Sequence, residues 1–126
     1  MSEVTSSRAY ARLLAHLKVR DQKTYTEVGP KTFFPRDYDL FVLDDALGNL
    51  KRYNIKRVLS NLYKSGVRFV AITNYPALRV ELEPIDGISR KVNLAHYGMR
   101  PLIHMTDGKD GRVLTLYRIR HGRATS

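Results

Sequence analysis

Asp44 and Asp45 directly follow the apolar run Leu40-Phe41-Val42-Leu43, and Asn74 and Tyr75 directly follow a second run, residues 67–73. Open α/β sheets bind their ligands at the carboxyl ends of such buried strands, so these four side chains are the first candidates for chemistry. A carboxylate placed there can accept hydrogen bonds. The plainer alternative uses one acid to cap the next turn, leaves the other in water, and packs Tyr75 on the sheet. Other chemistries find no residues. His16, His96, His104 and His121 lack the spacing of metal ligands, and with no cysteine there is no thiolate site, so no metal is expected. No nucleophile elbow, phosphate-cradling glycine loop or carboxylate pair at catalytic spacing occurs. No catalytic residue is assigned.

Charge is the second signal. With 22 Lys and Arg against 12 Asp and Glu the chain carries a net charge of +10. In a small domain this favours a polyanionic partner: nucleic acid first, an anionic membrane surface second, an acidic protein as the bland alternative. The candidate nucleic-acid contacts are Lys51, Arg52, Lys56, Arg57 and Lys64 in one segment and Arg118, Arg120 and Arg123 near the C-terminus. Tyr53 and Tyr97 offer rings on which bases can stack. No base-reading motif accompanies them, which implies contact through phosphates with little sequence preference. Against this stands a common arrangement, a helix that covers a sheet and turns a charged face to water.

The elements that must position these residues follow from periodicity. A chain of 126 residues has room for one domain with its own core. No apolar run reaches about 18 residues and no secretory layout opens the chain, so a soluble cytoplasmic protein without membrane contact is expected. Residues 6–20 predict a helix: Tyr10, Leu13, Leu14 and Leu17 form an apolar stripe, Ser6 or Ser7 caps it, and Lys18 and Arg20 suit its end. Lys23–Val28 and Thr32–Phe34 are candidate edge strands. Asp39–Asp44 reads as a buried strand of a parallel sheet. A helix over 51–65 follows, with Ile55, Val58, Leu59, Leu62 and Tyr63 on one face and Gly66 as a left-handed cap. Residues 67–73 form the next strand, completing a βαβ unit. Leu78–Leu82 is a possible short strand and 84–90 a loop. Pro101–Thr106 and Arg112–Ile119 flank a glycine-containing turn and predict an antiparallel hairpin. Residues 120–126 read as a basic, frayed tail. The fold class is α/β, a mixed sheet with a central parallel unit and a C-terminal antiparallel hairpin.

The order of these elements carries a resemblance. A strand ending in acids leads to a helix running into Lys64-Ser65-Gly66. A strand ending in Thr73-Asn74-Tyr75-Pro76 follows, then Asp86-Gly87, Arg90-Lys91-Val92-Asn93-Leu94 and the hairpin through Leu114-Thr115-Leu116-Tyr117-Arg118-Ile119. Over residues 39–119, roughly two-thirds of the chain, this resembles the C-terminal half of class I S-adenosylmethionine-dependent methyltransferases, most of all small bacterial and phage members. The family's glycine-rich cofactor loop has no counterpart here, since no Gly-x-Gly occurs, and no three parallel strands with their helices are visible before Asp39. The resemblance implies that Asp44, Asp45, Asn74 and Tyr75 line the rim of a cofactor and substrate cleft. There the acids would offer acceptor oxygens and Tyr75 a flat wall. It also implies a degenerate methyltransferase-like domain that serves as a nucleic-acid-associated binding or assembly subunit of phage or viral type, with no cofactor bound by the isolated chain. The alternatives are an S-adenosylmethionine-dependent enzyme completed by a partner chain or a dimer, and a structural virion subunit contacting packaged nucleic acid.

Overall fold

The computed structural model describes residues 2–4, 7–80, 90–106, 111–120 and 123–125. In chain order the elements are β1 (Ser2–Val4), α1 (Ser7–His16), β2 (Gln22–Tyr25), β3 (Leu40–Leu43), α2 (Arg52–Lys64), β4 (Phe69–Asn74), a 3-10 turn (Leu94–Tyr97), β5 (Ile103–Thr106), β6 (Val113–Arg120) and β7 (Arg123–Thr125).

All the described strands join one sheet in the order β1-β5-β6-β4-β3-β2, with β7 on the far half of β6. Five strands of four or more residues make its body, and the three-residue β1 and β7 extend it. β2, β3 and β4 run parallel, while β6 runs antiparallel to β4 and β5. The sheet is therefore open and mixed, and the fold is α/β.

Both faces are covered, which is why β3 and β4 read as unbroken apolar runs rather than alternating ones. All six residues of β4 are buried. On one face Ile55, Val58, Leu59 and Leu62 of α2 pack on Phe41, Leu43, Val70, Ile72 and Tyr117. On the other, Leu14 of α1, with Tyr10, Leu13 and Leu17, covers Leu40, Phe69, Ala71 and Leu116. Each fully buried aliphatic side chain of this kind contributes about 1.5–3 kcal/mol. Gly66 ends the α2 turn at φ +81°, a conformation that costs glycine nothing.

Several sequence expectations change. α1 stops at His16, short of Arg20, because Lys18 turns left-handed (φ 59°). Its amide bonds Ala15 O and that of Val19 bonds Leu14 O, the pairing that normally closes a helix over glycine. Arg68 then donates to the carbonyls of Leu17 and Lys18 at 2.7 and 3.3 Å. Ser6 lies outside the described residues. Thr32–Phe34 is not a strand, and β2 sits at 22–25 because Asp39 draws that segment to β3: its carboxylate accepts from the amide of Arg20 at 2.9 Å. Leu78–Val80 is irregular, and 81–89 lies outside the described residues. Arg123–Thr125 is not a frayed tail but pairs back on β6, Arg120 opposite Arg123.

Candidate functional site

The carboxyl rim of the sheet gathers Asp44, Asp45, Asn74 and Tyr75, but it uses them separately. Asp44 is exposed, and its amide donates to Tyr25 O at 2.9 Å, one rung beyond the β2–β3 ladder. Asp45 adopts φ +55°, a region that costs a residue other than glycine about 1–2 kcal/mol and that Asp tolerates better than most. Two contacts hold it there. Its amide donates to Thr73 Oγ1 at 2.8 Å, and its carboxylate accepts from Arg112 at 3.1 Å. Asn74 is buried, with its side-chain oxygen accepting the amide of Leu94 at 2.8 Å. The Tyr75 amide donates to Val92 O at 3.0 Å, and Lys91 lies over its ring.

Residues 90–94 thus cross the rim and are bonded on both sides. Arg90 ties them to the loop after β3, donating to the carbonyls of Leu47 and Gly48 at 3.2 and 3.0 Å. Among the described residues, Asp45, Thr73, Tyr75, Arg90 and Val92 enclose about 10 Å³, room for one water molecule. Neither Asp44 nor Asn74 lines that space. A shallower hollow of about 210 Å³ lies beside Tyr75, Leu78 and Lys91. Pockets for small organic ligands usually hold about 300–1,000 Å³.

The basic residues fall on two faces. Lys51, at the N-cap of α2, and Arg52, Lys56, Arg57 and Lys64 on the helix are all exposed, off its buried stripe. Arg52 is tied down, donating to His96 O at 3.3 Å and lying over the Tyr97 ring, which packs against the core. Arg57 lies over the ring of Tyr53, which is 67% exposed. Among the described residues Lys51, Lys56, Arg57 and Lys64 form no ion pair. Arg118 instead lies on the ring of Phe69, under the α1 face and away from α2. The side chains of Arg120 and Arg123 lie outside the described residues. Arg118 is therefore set apart from the α2 cations, and of the two expected stacking rings only Tyr53 is open.

Comparison with protein-family models, with curated proteins and with solved structures found no match for this chain. Arg112, Thr73 and Arg90 shape the rim, and none of them stood among the site residues expected from the sequence. The one usable hint is that Arg112 opens the second hairpin strand, which returns to the rim where Asp45 lies.

Proposed function

We propose that this domain binds nucleic acid through phosphates, as a methyltransferase-like α/β binding or assembly subunit without the usual cofactor site. The observation that carries the reading is the outer face of α2, where exposed Lys56, Arg57 and Lys64, with Lys51 at the N-cap, have no acidic partner among the described residues and share that face with the exposed ring of Tyr53. Cations left unpaired in a chain of net charge +10 keep their full attraction for a polyanion. An aromatic ring beside them adds a stacking surface that tolerates any base.

The methyltransferase likeness is supported by the strand, helix, strand and antiparallel return of β3, α2, β4 and β6. The absence of a working cofactor site is supported by the rim. Asp45 is already bonded by Arg112, and the space it shares with Thr73, Tyr75, Arg90 and Val92 has room for one water molecule, which disfavours S-adenosylmethionine there. The enzyme alternative draws on β2, a short, exposed strand at the sheet edge with its outer side open to a partner strand. Calorimetry separates the two. Micromolar binding of S-adenosylmethionine that Asp45→Ala abolishes would replace the binding reading with the enzyme.

The direct test is fluorescence anisotropy with labelled DNA and RNA across a salt series. Each neutralised phosphate releases counterions, so log affinity should fall with log salt by roughly 0.9 per contact on duplex DNA. Replacing Lys56 and Arg57 together with Ala should lower the slope by roughly 2 and weaken all sequences alike. No binding at low salt would remove the proposal and promote an acidic protein partner.

A further inference from the structure

The segment between β2 and β3 builds a cleft at the opposite end of the sheet from Asp45. Thr32 donates its amide to Gly29 O at 3.0 Å while its hydroxyl accepts from the Gly29 amide at 2.8 Å, closing a turn. Asn61 of α2 donates to Pro30 O at 2.9 Å and pins that turn against the last part of the helix. Phe34 is 5% exposed, its ring 5.2 Å from that of Tyr25 and 5.3 Å from that of Phe41. A residue before proline is held extended, and neighbours in extended chain face opposite ways. With Phe34 locked inward ahead of Pro35, Phe33 must face out. It is 79% exposed, the highest value among the large apolar side chains described.

Between this segment and the end of α2 lies a cleft of about 410 Å³, bordered by Lys31, Phe33, Arg36, Asn61 and Lys64. Three of its lining residues are cations and none is acidic. Among the described residues these cations make no ion pair. The carbonyl of Leu62 at the helix end already accepts from both the amide and the hydroxyl of Ser65, so it does not compete for the cations.

We propose that this cleft binds single-stranded nucleic acid, with a base stacked on Phe33 and the adjoining phosphates held by Lys31, Arg36 and Lys64. The proposal rests on the nucleic-acid reading and gives it a substrate form. A base inside a duplex hides both faces, whereas an unpaired one can lie on an exposed ring. The strand has a continuation: Arg57 and Tyr53 lie further along α2, with Tyr53 roughly 16 Å from Lys64 along the helix axis. An acidic peptide would satisfy the cations but has no use for a ring that is flat, apolar and open.

The test uses the full chain with oligo(dT), a mixed-sequence duplex, free dTMP and poly-glutamate. Phe33→Ala should weaken oligo(dT) binding roughly 5- to 100-fold, the range of one lost base stack, and change duplex binding less than about twofold. Because Phe33 supports nothing in the core, the variant should fold normally, which circular dichroism checks. The chain contains no tryptophan, so Phe33→Trp adds a single indole whose fluorescence oligo(dT) should quench. Replacing Lys31 and Arg36 with Ala should lower the single-strand salt slope by roughly 1.4. If the wild-type chain binds DNA while Phe33→Ala binds oligo(dT) equally well and the indole is not quenched, the cleft is excluded and the broader reading survives. If neither single strand nor duplex binds, both fall together. Equal competition by poly-glutamate would reassign the cleft to an acidic protein, and dTMP binding as tight as oligo(dT) would reduce it to a mononucleotide site.

Discussion

Arg112 donates to the carboxylate of Asp45 at 3.1 Å across the carboxyl rim, joining residues 67 positions apart. The pair is partly solvated on both sides, so its attraction is screened and worth no more than about 1 kcal/mol. The left-handed backbone of Asp45 works against it by a similar amount. Asp45→Gly should therefore unfold in urea within about 1 kcal/mol of wild type, strain relief offsetting the lost pair. Asp45→Val, with a branched side chain in that conformation, should fall at least about 2 kcal/mol below the glycine variant. Equal midpoints for the two would show that the turn does not hold this geometry.

Leu59 tests the α2 face. It is 3% exposed and belongs to the larger core cluster. Truncation to Ala removes buried methyl groups and leaves a cavity, at a cost of about 2–5 kcal/mol. Lys56→Ala, three residues earlier on the exposed side, should stay within about 0.5 kcal/mol. A loss below that figure for Leu59→Ala in denaturant melts would mean that the helix presents another face to the sheet.

Asp39 gives the fold an acid-sensitive contact. Its carboxyl is held below its ordinary value of 3.8, first by the amide of Arg20; burial opposes this, and the amide of Asp21 and the nearby charge of Arg68 add to the lowering. A carboxylate whose folded pKa is depressed contributes stability above its unfolded pKa and loses it as pH falls through the folded one. Asp39→Asn should thus be less stable than wild type at neutral pH, by up to about 1 kcal/mol given the exposure of the group. The gap should close below pH 3.8. A gap that persists at lower pH would show that the carboxylate charge contributes nothing.

Tyrosines supply the opposite limit. Burial raises the pKa of Tyr10, Tyr63 and Tyr117 above their ordinary 10.0; for Tyr117 the effect is large, although its hydroxyl bonds Thr115. Above pH 10.0 the unfolded chain releases phenolic protons that the fold retains, so stability falls as pH rises. Tyr117 should ionise only as the fold opens, visible as phenolate absorbance appearing together with loss of circular dichroism. Titration of all eight tyrosines in a chain that stays folded would contradict that burial. Tyr10→Phe should be neutral or slightly stabilising, since the Tyr10 hydroxyl is buried without a hydrogen-bond partner among the described residues.

The elements legible in the sequence were those whose signal is local. Leu40–Leu43 and Phe69–Asn74 announce a two-sided buried sheet by unbroken apolarity. Ile55, Val58, Leu59 and Leu62 mark one helical face, and the glycine-containing turn before Gly111 implies the β5–β6 hairpin. So did the four residues of the rim, because the carboxyl end of a buried strand can be counted along the chain.

Tertiary structure alone decided what depends on distant partners. The three-residue β1 is too short to show a period and exists because β5 completes its hydrogen bonds, and pairing with β3 sets the bounds of β2 within the expected edge-strand region. α1 stops early at a left-handed lysine whose carbonyl Arg68 binds from 50 residues away. Residues 90–94 cross the rim because Asn74, Tyr75 and Gly48 bond them from two sides. Charge could be counted but not placed. The alternation of β6 sends Arg118 onto Phe69, while the turn at Gly29–Thr32 brings Lys31 and Arg36 to Lys64. Composition sets the amount of positive charge, but which cations share a surface is set by the hydrogen bonds that fold distant segments together.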